Sequence, residues 1–378
     1  MKPEPEPETL NPERGTARLQ TVLTAVGDLM FNGLVRERME VAGDMAWSLR
    51  RVQDALGQGD VLFGNFEFPV SKARRAEPGC EPERVSPPGI GRALRDAGFH
   101  VVNFAHNHLY DFGAEGVECT LRDMVDGGPA CVGVGRNSAE ARRPVVVDTP
   151  SGQRTGFLAY VTAHMAVDNA HEYVGCFPDI PTVQADVAAL RPSVNAVIVS
   201  CHTGAQFNPY PAPETRELAR AAVHAGASVF LGHHPHVPQG YERIDHGIAV
   251  YSLGNFVASS RREETRRTFF VRIALDGDRV ASHEIVPCYI GDDGWTVVAD
   301  GDLGRNISAE IERLTDDITQ GRSDDLHFDI ARSRMGSQYI ATWLREFRRG
   351  GPGVILRKLR NLRPYHATLV ARMLGIKK

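Results

Sequence analysis

The sequence predicts a layered α/β sandwich in which one sheet packs against another. Two observations lead there. Short apolar runs rich in β-branched residues, each stopped by Gly, Pro or a polar cluster, alternate with segments of helical period. Hairpin patterns then add antiparallel strands, 144–147 with 157–161 around Ser151-Gly152 and 268–274 with 279–286 around Asp276-Gly277. No repeat of solenoid length is visible, which excludes a stacked-repeat architecture.

In chain order, residues 1–18 are acidic and Pro-rich and read as a flexible tail. A strand at 21–26 stops at Gly27-Asp28, and a helical segment covers 46–56. The strand at 60–63 runs into Gly64-Asn65-Phe66-Glu67. Residues 72–88, charged and without hydrophobic period, read as an exposed loop. A helix at 90–97 closes at Gly98, and the strand at 99–103 leads to Ala105-His106-Asn107-His108 and Asp111. A helix follows at 116–125. In the central block, runs at 197–199, 229–231 and 248–251 stop at Ser200-Cys201-His202, Gly232-His233-His234-Pro235-His236 and Ser252-Leu253-Gly254-Asn255. Beyond Gly291 the strand signal ends, with helices expected at 307–318 and 335–347. The division expected is a tail at 1–18, one α/β domain at 19–290 and a helical, basic extension at 291–378.

The chain's 378 residues carry 43 basic and 47 acidic side chains, a formal net charge of −4. That balance gives no reason to expect nucleic-acid binding. No apolar run is long enough to span a bilayer. The six cysteines are scattered without a Cys-x-x-Cys pair, which fits reduced thiols and a cytoplasmic, soluble protein.

Chemistry collects at the strand ends, as is usual for α/β sheets. Asp28, Asn65, Glu67, Asn107, His108, Asp111, His202, His234 and His236 all stand there. In an extended segment side chains two apart point the same way, so His234 and His236 are expected to converge, with His233 facing away as a structural residue. Imidazoles mixed with carboxylate and amide oxygens suit Mn, Fe or Zn, and Mg less well. Such ions acidify water and clamp a phosphoryl or carbonyl oxygen, so the expected partner is an anionic small molecule or polymer.

The segments Gly27-Asp28-Leu29-Met30, Gly64-Asn65-Phe66-Glu67, Ala105-His106-Asn107-His108 with Asp111, Gly232-His233-His234-Pro235-His236 and Tyr251-Ser252-Leu253-Gly254-Asn255-Phe256 occur in this order. Together they resemble the CapA family of bacterial capsule or poly-γ-glutamate biosynthesis, a branch of the calcineurin-like metallophosphatases. The resemblance covers residues 21–257 and implies a four-layer α/β/β/α metallophosphatase-like sandwich, here with a C-terminal helical extension. It implies that Asp28 and His236 bind a first metal, and Asn107, His202 and His234 a second. His108, held by Asp111, would donate a proton to the leaving group. Asn65 and Glu67 occupy the loop that supplies the bridging carboxylate.

The departures from the family pattern shape the expectations. Met30 stands where the wider superfamily has a His, and Asn65 where it has a bridging Asp. Gln206 replaces a Glu usual after the fourth strand, and His106 replaces an Asn. The membrane segment usual in capsule-export members is not found at the N-terminus. One tightly held ion is therefore expected, on the His202–His234 side, with Glu67 as the residue able to restore a second. The resemblance implies a metal-dependent hydrolase of phosphoester or amide bonds. The alternatives are a non-catalytic accessory subunit of a polymer synthase or ligase, and an adaptor touching the membrane surface through the basic, leucine-bearing segment 345–378.

Overall fold

A computed structural model describes residues 20–72, 76–77, 80–162, 174–175 and 179–333. The expected tail at 1–18, the helix at 335–347 and the basic segment at 345–378 lie outside the described residues.

The chain opens with β1 (Thr21–Leu29), α1 (Gly33–Ala42), a 3-10 turn at Trp47–Leu49 and α2 (Gln53–Leu56). It continues through β2 (Val61–Phe66), α3 (Ile90–Asp96), β3 (Phe99–Asn103), α4 (Gly113–Val125), β4 (Ala130–Val132) and β5 (Val134–Gly135). Next come α5 (Ser138–Ala141), the expected hairpin of β6 (Val145–Asp148) and β7 (Arg154–Val161), β8 (Val174–Gly175) and α6 (Ile180–Leu190). The central block is β9 (Ala196–His202), α7 (Pro213–His224), β10 (Val229–His233), β11 (Tyr241–Ile244), β12 (Gly247–Val250) and β13 (Asn255–Val257). The second expected hairpin, β14 (Arg267–Asp276) and β15 (Arg279–Ile290), is followed by β16 (Thr296–Val298) and α8 (Gly301–Thr319).

One sheet has the order β16-β15-β14-β1-β2-β3-β4, with β13 pairing the end of β1; the other runs β11-β12-β10-β9-β7-β6. β1, β2, β3 and β4 are parallel neighbours, as are β7, β9, β10 and β12. Because β-branched runs pack on both faces in such sheets, they read as continuous apolar stretches. Leu23, Phe63 and Val101 of the first sheet meet Phe157, Ile198 and Leu231 of the second in the central core. On the outside of the first sheet, α1, α3 and α4 contribute Met39, Leu94 and Val117 against Phe66 and Phe99. On the outside of the second, α6 and α7 bring Val187 and Leu218 against Val197 and Phe230. The result is the four-layer α/β/β/α sandwich. Each fully buried large apolar side chain contributes roughly 1.5–3 kcal/mol, so the central core fixes the two sheets against each other and the outer two fix the helices to them.

Two elements differ from expectation, while the helix expected at 307–318 stands within α8. Helix α1 buries only Val35 and Met39, too thin an apolar stripe to read from sequence. Strand β16 pairs with β15 beyond the point where the strand signal fades. Helix α8 buries Ile307, Ile311, Leu314 and Ile318 at helical spacing, and Ile307 and Ile311 share the core between the sheets.

Candidate metal centre

Parallel strands end at one edge, and their registers bring distant residues side by side. Asp28 at the end of β1 is paired with Asn65 of β2 on one flank and with Asn255 of β13 on the other. Asn65 is paired with Asn103 of β3, and His202 of β9 with His233 of β10. The contact of β1 with β13 depends on Gly27, where a Cβ would lie 1.9 Å from the Gly254 carbonyl oxygen. That approach lets the Asp28 N–H donate to the same oxygen at 2.9 Å.

Asp28, Asn65, Glu67 and His202 are fully buried, and His108, Asp111, His234 and His236 are nearly so. Donor atoms of Asp28, Glu67 and His236 lie within 4.8 Å of one another, and so do those of Glu67, His202 and His234. Glu67 belongs to both groups. Neither of its carboxylate oxygens has a hydrogen-bond partner among the described residues. Its nearest imidazole atoms are His236 Nε2 at 3.5 Å and His108 Nε2 at 3.8 Å. A bare buried carboxylate is strongly disfavoured unless a cation or proton meets it, and burial raises its pKa to about 8 against the pull of His236. Such an orphaned carboxylate, set among imidazoles and an amide oxygen, fits a divalent ion.

The His236 Nδ1–H donates to Asp28 Oδ2 at 2.9 Å and to Asn255 Oδ1 at 3.0 Å, which turns Nε2 toward Glu67. Burial alone would lower the His236 pKa, but Glu67 and then Asp28 outweigh it and raise it to about 9. In the other group His202 Nε2 lies 2.8 Å from Asn107 Oδ1 and 3.1 Å from His234 Nδ1. Burial, and then the neighbouring His234, push the His202 pKa well down.

Asn65 stands among these residues with its amide engaged. Its Nδ2 donates to Asp28 Oδ1 at 2.9 Å and lies 3.2 Å from His202 Nδ1, while its Oδ1 accepts from Asn103 Nδ2 at 2.9 Å. The shared carboxylate is thus presented by Glu67 and not by the position of the expected bridging Asp. His234 and His236 converge for a reason other than strand alternation. Strand β10 ends at His233, and both residues take left-handed backbone angles, φ +96° and +60°. Such strain costs about 1–3 kcal/mol per residue and clusters at functional sites. His233 lies beneath them, its Nδ1 3.7 Å from Asp28 Oδ1, and burial lowers its pKa to about 4.

His108 Nδ1–H donates to Asp111 Oδ2 at 2.7 Å. Its Nε2 faces Arg84 Nη1 at 3.3 Å and Asn107 Nδ2 at 3.2 Å. A guanidinium can only donate, so Nε2 carries its lone pair, and burial keeps the pKa below the ordinary histidine value. A cleft of about 430 Å³ opens over the centre. Its buried lining includes Met30, Glu67, His108, His236 and Asn255; its exposed lining includes Glu81, Glu83, Gln206, Arg261 and Arg262.

A family model described as bacterial capsule synthesis protein PGA_cap matches residues 22–260, a span that contains every residue of this centre. The chain belongs to the PGA_cap family. It is 30% identical over 292 residues to the capsule biosynthesis protein CapA of Bacillus anthracis, covering 75% of this chain and 71% of that one. It is 27% identical over 265 residues to the PGA biosynthesis protein CapA of Bacillus subtilis (strain 168), covering 69% and 70%. A probable polyglutamine synthesis accessory protein of Mycobacterium tuberculosis is 28% identical over 172 residues, 42% of this chain and 45% of that one. Among solved structures, a hypothetical protein from Thermus thermophilus aligns at TM-score 0.45 and 15% identity, over 70% of this chain and 98% of that chain.

Two residues of this PGA_cap centre escaped the sequence reading. Asn255 sits in the quoted Ser-Leu-Gly-Asn segment, whose Asn reads equally well as a turn residue. Arg84 belongs to the charged 72–88 stretch, where nothing in the pattern reveals that its guanidinium reaches His108. Among the described residues of this PGA_cap chain no helix is long and apolar enough to cross a membrane.

Proposed function

We propose that this PGA_cap protein is a divalent-metal-dependent hydrolase of a phosphoester or amide bond, acting in the synthesis of a capsule or polyglutamate-type polymer. The observation that carries the reading is Glu67, a fully buried carboxylate without hydrogen-bond partners that belongs to two ligand groups at once. Asp28, Glu67 and His236 would hold one ion, and Glu67, Asn107, His202 and His234 a second, of Mn, Fe or Zn character. When bound, such ions acidify water and draw charge from a phosphoryl or carbonyl oxygen.

The chain's own residues do the rest. Asn65 braces Asp28 and His202 at their working distance. Asp111 orients His108 so that Nε2 faces the cleft. Because that nitrogen accepts in the resting arrangement, His108 takes up a proton before it can pass one to a leaving group. Arg84, donating to the same atom, keeps the imidazole neutral until then.

A second reading, an accessory subunit of a polymer synthase or ligase without turnover of its own, draws on Asn65 and Gln206 standing where the resemblance implies carboxylates. The name of the M. tuberculosis relative favours it too. One set of preparations decides between them. Protein purified without chelator is analysed for metal and screened with phosphoesters and γ-glutamyl amides. The hydrolase reading expects about two ions per chain, at most one in Glu67→Gln, and a His108→Ala variant that keeps its metal but turns over roughly 10²–10⁴-fold more slowly. Metal-free wild type without turnover would leave the accessory role.

A further inference from the structure

We infer that Arg262, docked on the ring of Phe207, recognises a second anionic group of the substrate, a carboxylate or phosphate next to the scissile bond. This rests on the reading that the cleft over the ligand groups is the substrate site. Arg262 lines that cleft together with Glu67, His108 and His236. Its guanidinium lies over the Phe207 ring, 4.5 Å from the centroid. Phe207 is itself fixed against the ligand turn. Its ring centroid is 6.2 Å from that of His236, and its N–H donates at 2.8 Å to the carbonyl of Pro235, between the two histidines. Its φ of +61° is a conformation that a bulky side chain adopts only when its surroundings impose it.

The chain thus holds a cation at a set place beside the centre without neutralising it. Nearby arginines are paired: Arg266 with Asp292 at 2.6 Å, and Arg267 with Glu263 at 3.3 Å and Glu310 at 3.1 Å. Among the described residues no carboxylate lies within ion-pair distance of Arg262 or of Arg261 beside it. A guanidinium stacked on an aromatic face keeps its N–H edge free for a planar, two-point contact with an oxyanion. Opposite charge comes from a different segment, where Glu81 is paired with Arg84 at 3.2 Å and Glu83 also lines the cleft. An anion entering is repelled by one segment and drawn to the other. The substrate class that matches is one with two anionic groups a few bonds apart, one at the metal ligands and one at Arg262.

Calorimetric titration of the full chain, purified with its metal, tests this with two matched probe pairs. One pair is γ-glutamylglutamate and its α-amide; the other is 1,4-phenylene bisphosphate and phenyl phosphate. In one of the pairs the more anionic member should bind wild type about tenfold more tightly than its partner. Arg262→Ala should lose that preference and Arg262→Lys should keep part of it, with metal content unchanged in both. The pair that responds identifies the anion as carboxylate or phosphate. Equal preference in wild type and Arg262→Ala, or no preference in either pair, overturns the assignment. Metal analysis of the same samples separates the two readings. Metal-free wild type that still shows the Arg262-dependent preference supports the anion site and counts against the hydrolase alone.

Discussion

His236 and His202 are both buried imidazoles of one centre, yet they hold protons with opposite strength. His236 points Nδ1 at Asp28 and Asn255 and Nε2 at Glu67, and these acceptors raise its pKa to about 9 against the effect of burial. Around His202 there is burial and then other imidazoles, and its pKa falls well below the ordinary value. The residue type is the same; what faces the ring differs. In the metal-free protein His236 therefore holds its proton more tightly than His202 does. The halves meet at Glu67, so they are distinguishable without being independent.

The largest effect should come from removing one imidazole from each half. Even the partners of metal ligands are worth about 10–100-fold in affinity, so His202→Ala and His236→Ala should each weaken the ion of their own half by more than roughly 100-fold. Titration against a competing chelator reads this directly. If either variant lost both ions together, the halves would have to be treated as a single unit.

A smaller effect is expected for Asn65→Asp. The substitution replaces the Nδ2 donor to Asp28 with a carboxylate oxygen, leaving two like charges where a hydrogen bond of 2.9 Å stood. In metal-free protein this should cost about 1–3 kcal/mol, read as a melting temperature lowered by a few degrees. Added metal should recover it. An unchanged melting temperature in metal-free protein would show that the Asn65 amide does not brace the site.

The smallest effect is on pH dependence. Glu67 and His236 have raised pKa values, about 8 and about 9, so an ion entering their half must displace protons. Raising the pH removes those protons beforehand. Affinity in His202→Ala, which keeps this half, should thus climb toward alkaline pH by up to about tenfold per unit for each proton displaced. In His236→Ala, where the proton-holding imidazole is gone, the climb above neutrality should be shallower. Identical slopes would erase the contrast between the halves.

Much of this architecture is legible in the sequence. Parallel strands buried on both faces announce themselves as β-branched runs, and the polar residues that stop them mark the edge where ligands gather. Asp28, Glu67, His202, His234 and His236 could be named together on that ground. Strand alternation, which predicts the convergence of His234 and His236, is not its cause, because backbone angles in a left-handed turn leave no periodic trace. Arg84 was hidden for a related reason, since a charged stretch without hydrophobic period looks the same whether it is solvated or folded over a cleft. The engagement of Asn65 could not be read either, because an amide's use depends on which neighbours the register brings to it. Helix α1 was missed because two buried residues make too little stripe.

The contact of Gly27 with Gly254 has a consequence of its own. Two backbones separated by more than half the chain touch at a point where not even a methyl group fits. Next to that point, one residue along each strand, are Asp28 and Asn255, the two acceptors that aim His236. The centre is therefore gauged from main chain rather than from side chain. An alanine at 27 would act as a shim, prising the β1 and β13 ends apart and swinging both acceptors out of line while every ligand stayed in the sequence. A search for the residues that matter here by their chemistry alone would pass over the one whose contribution is having none.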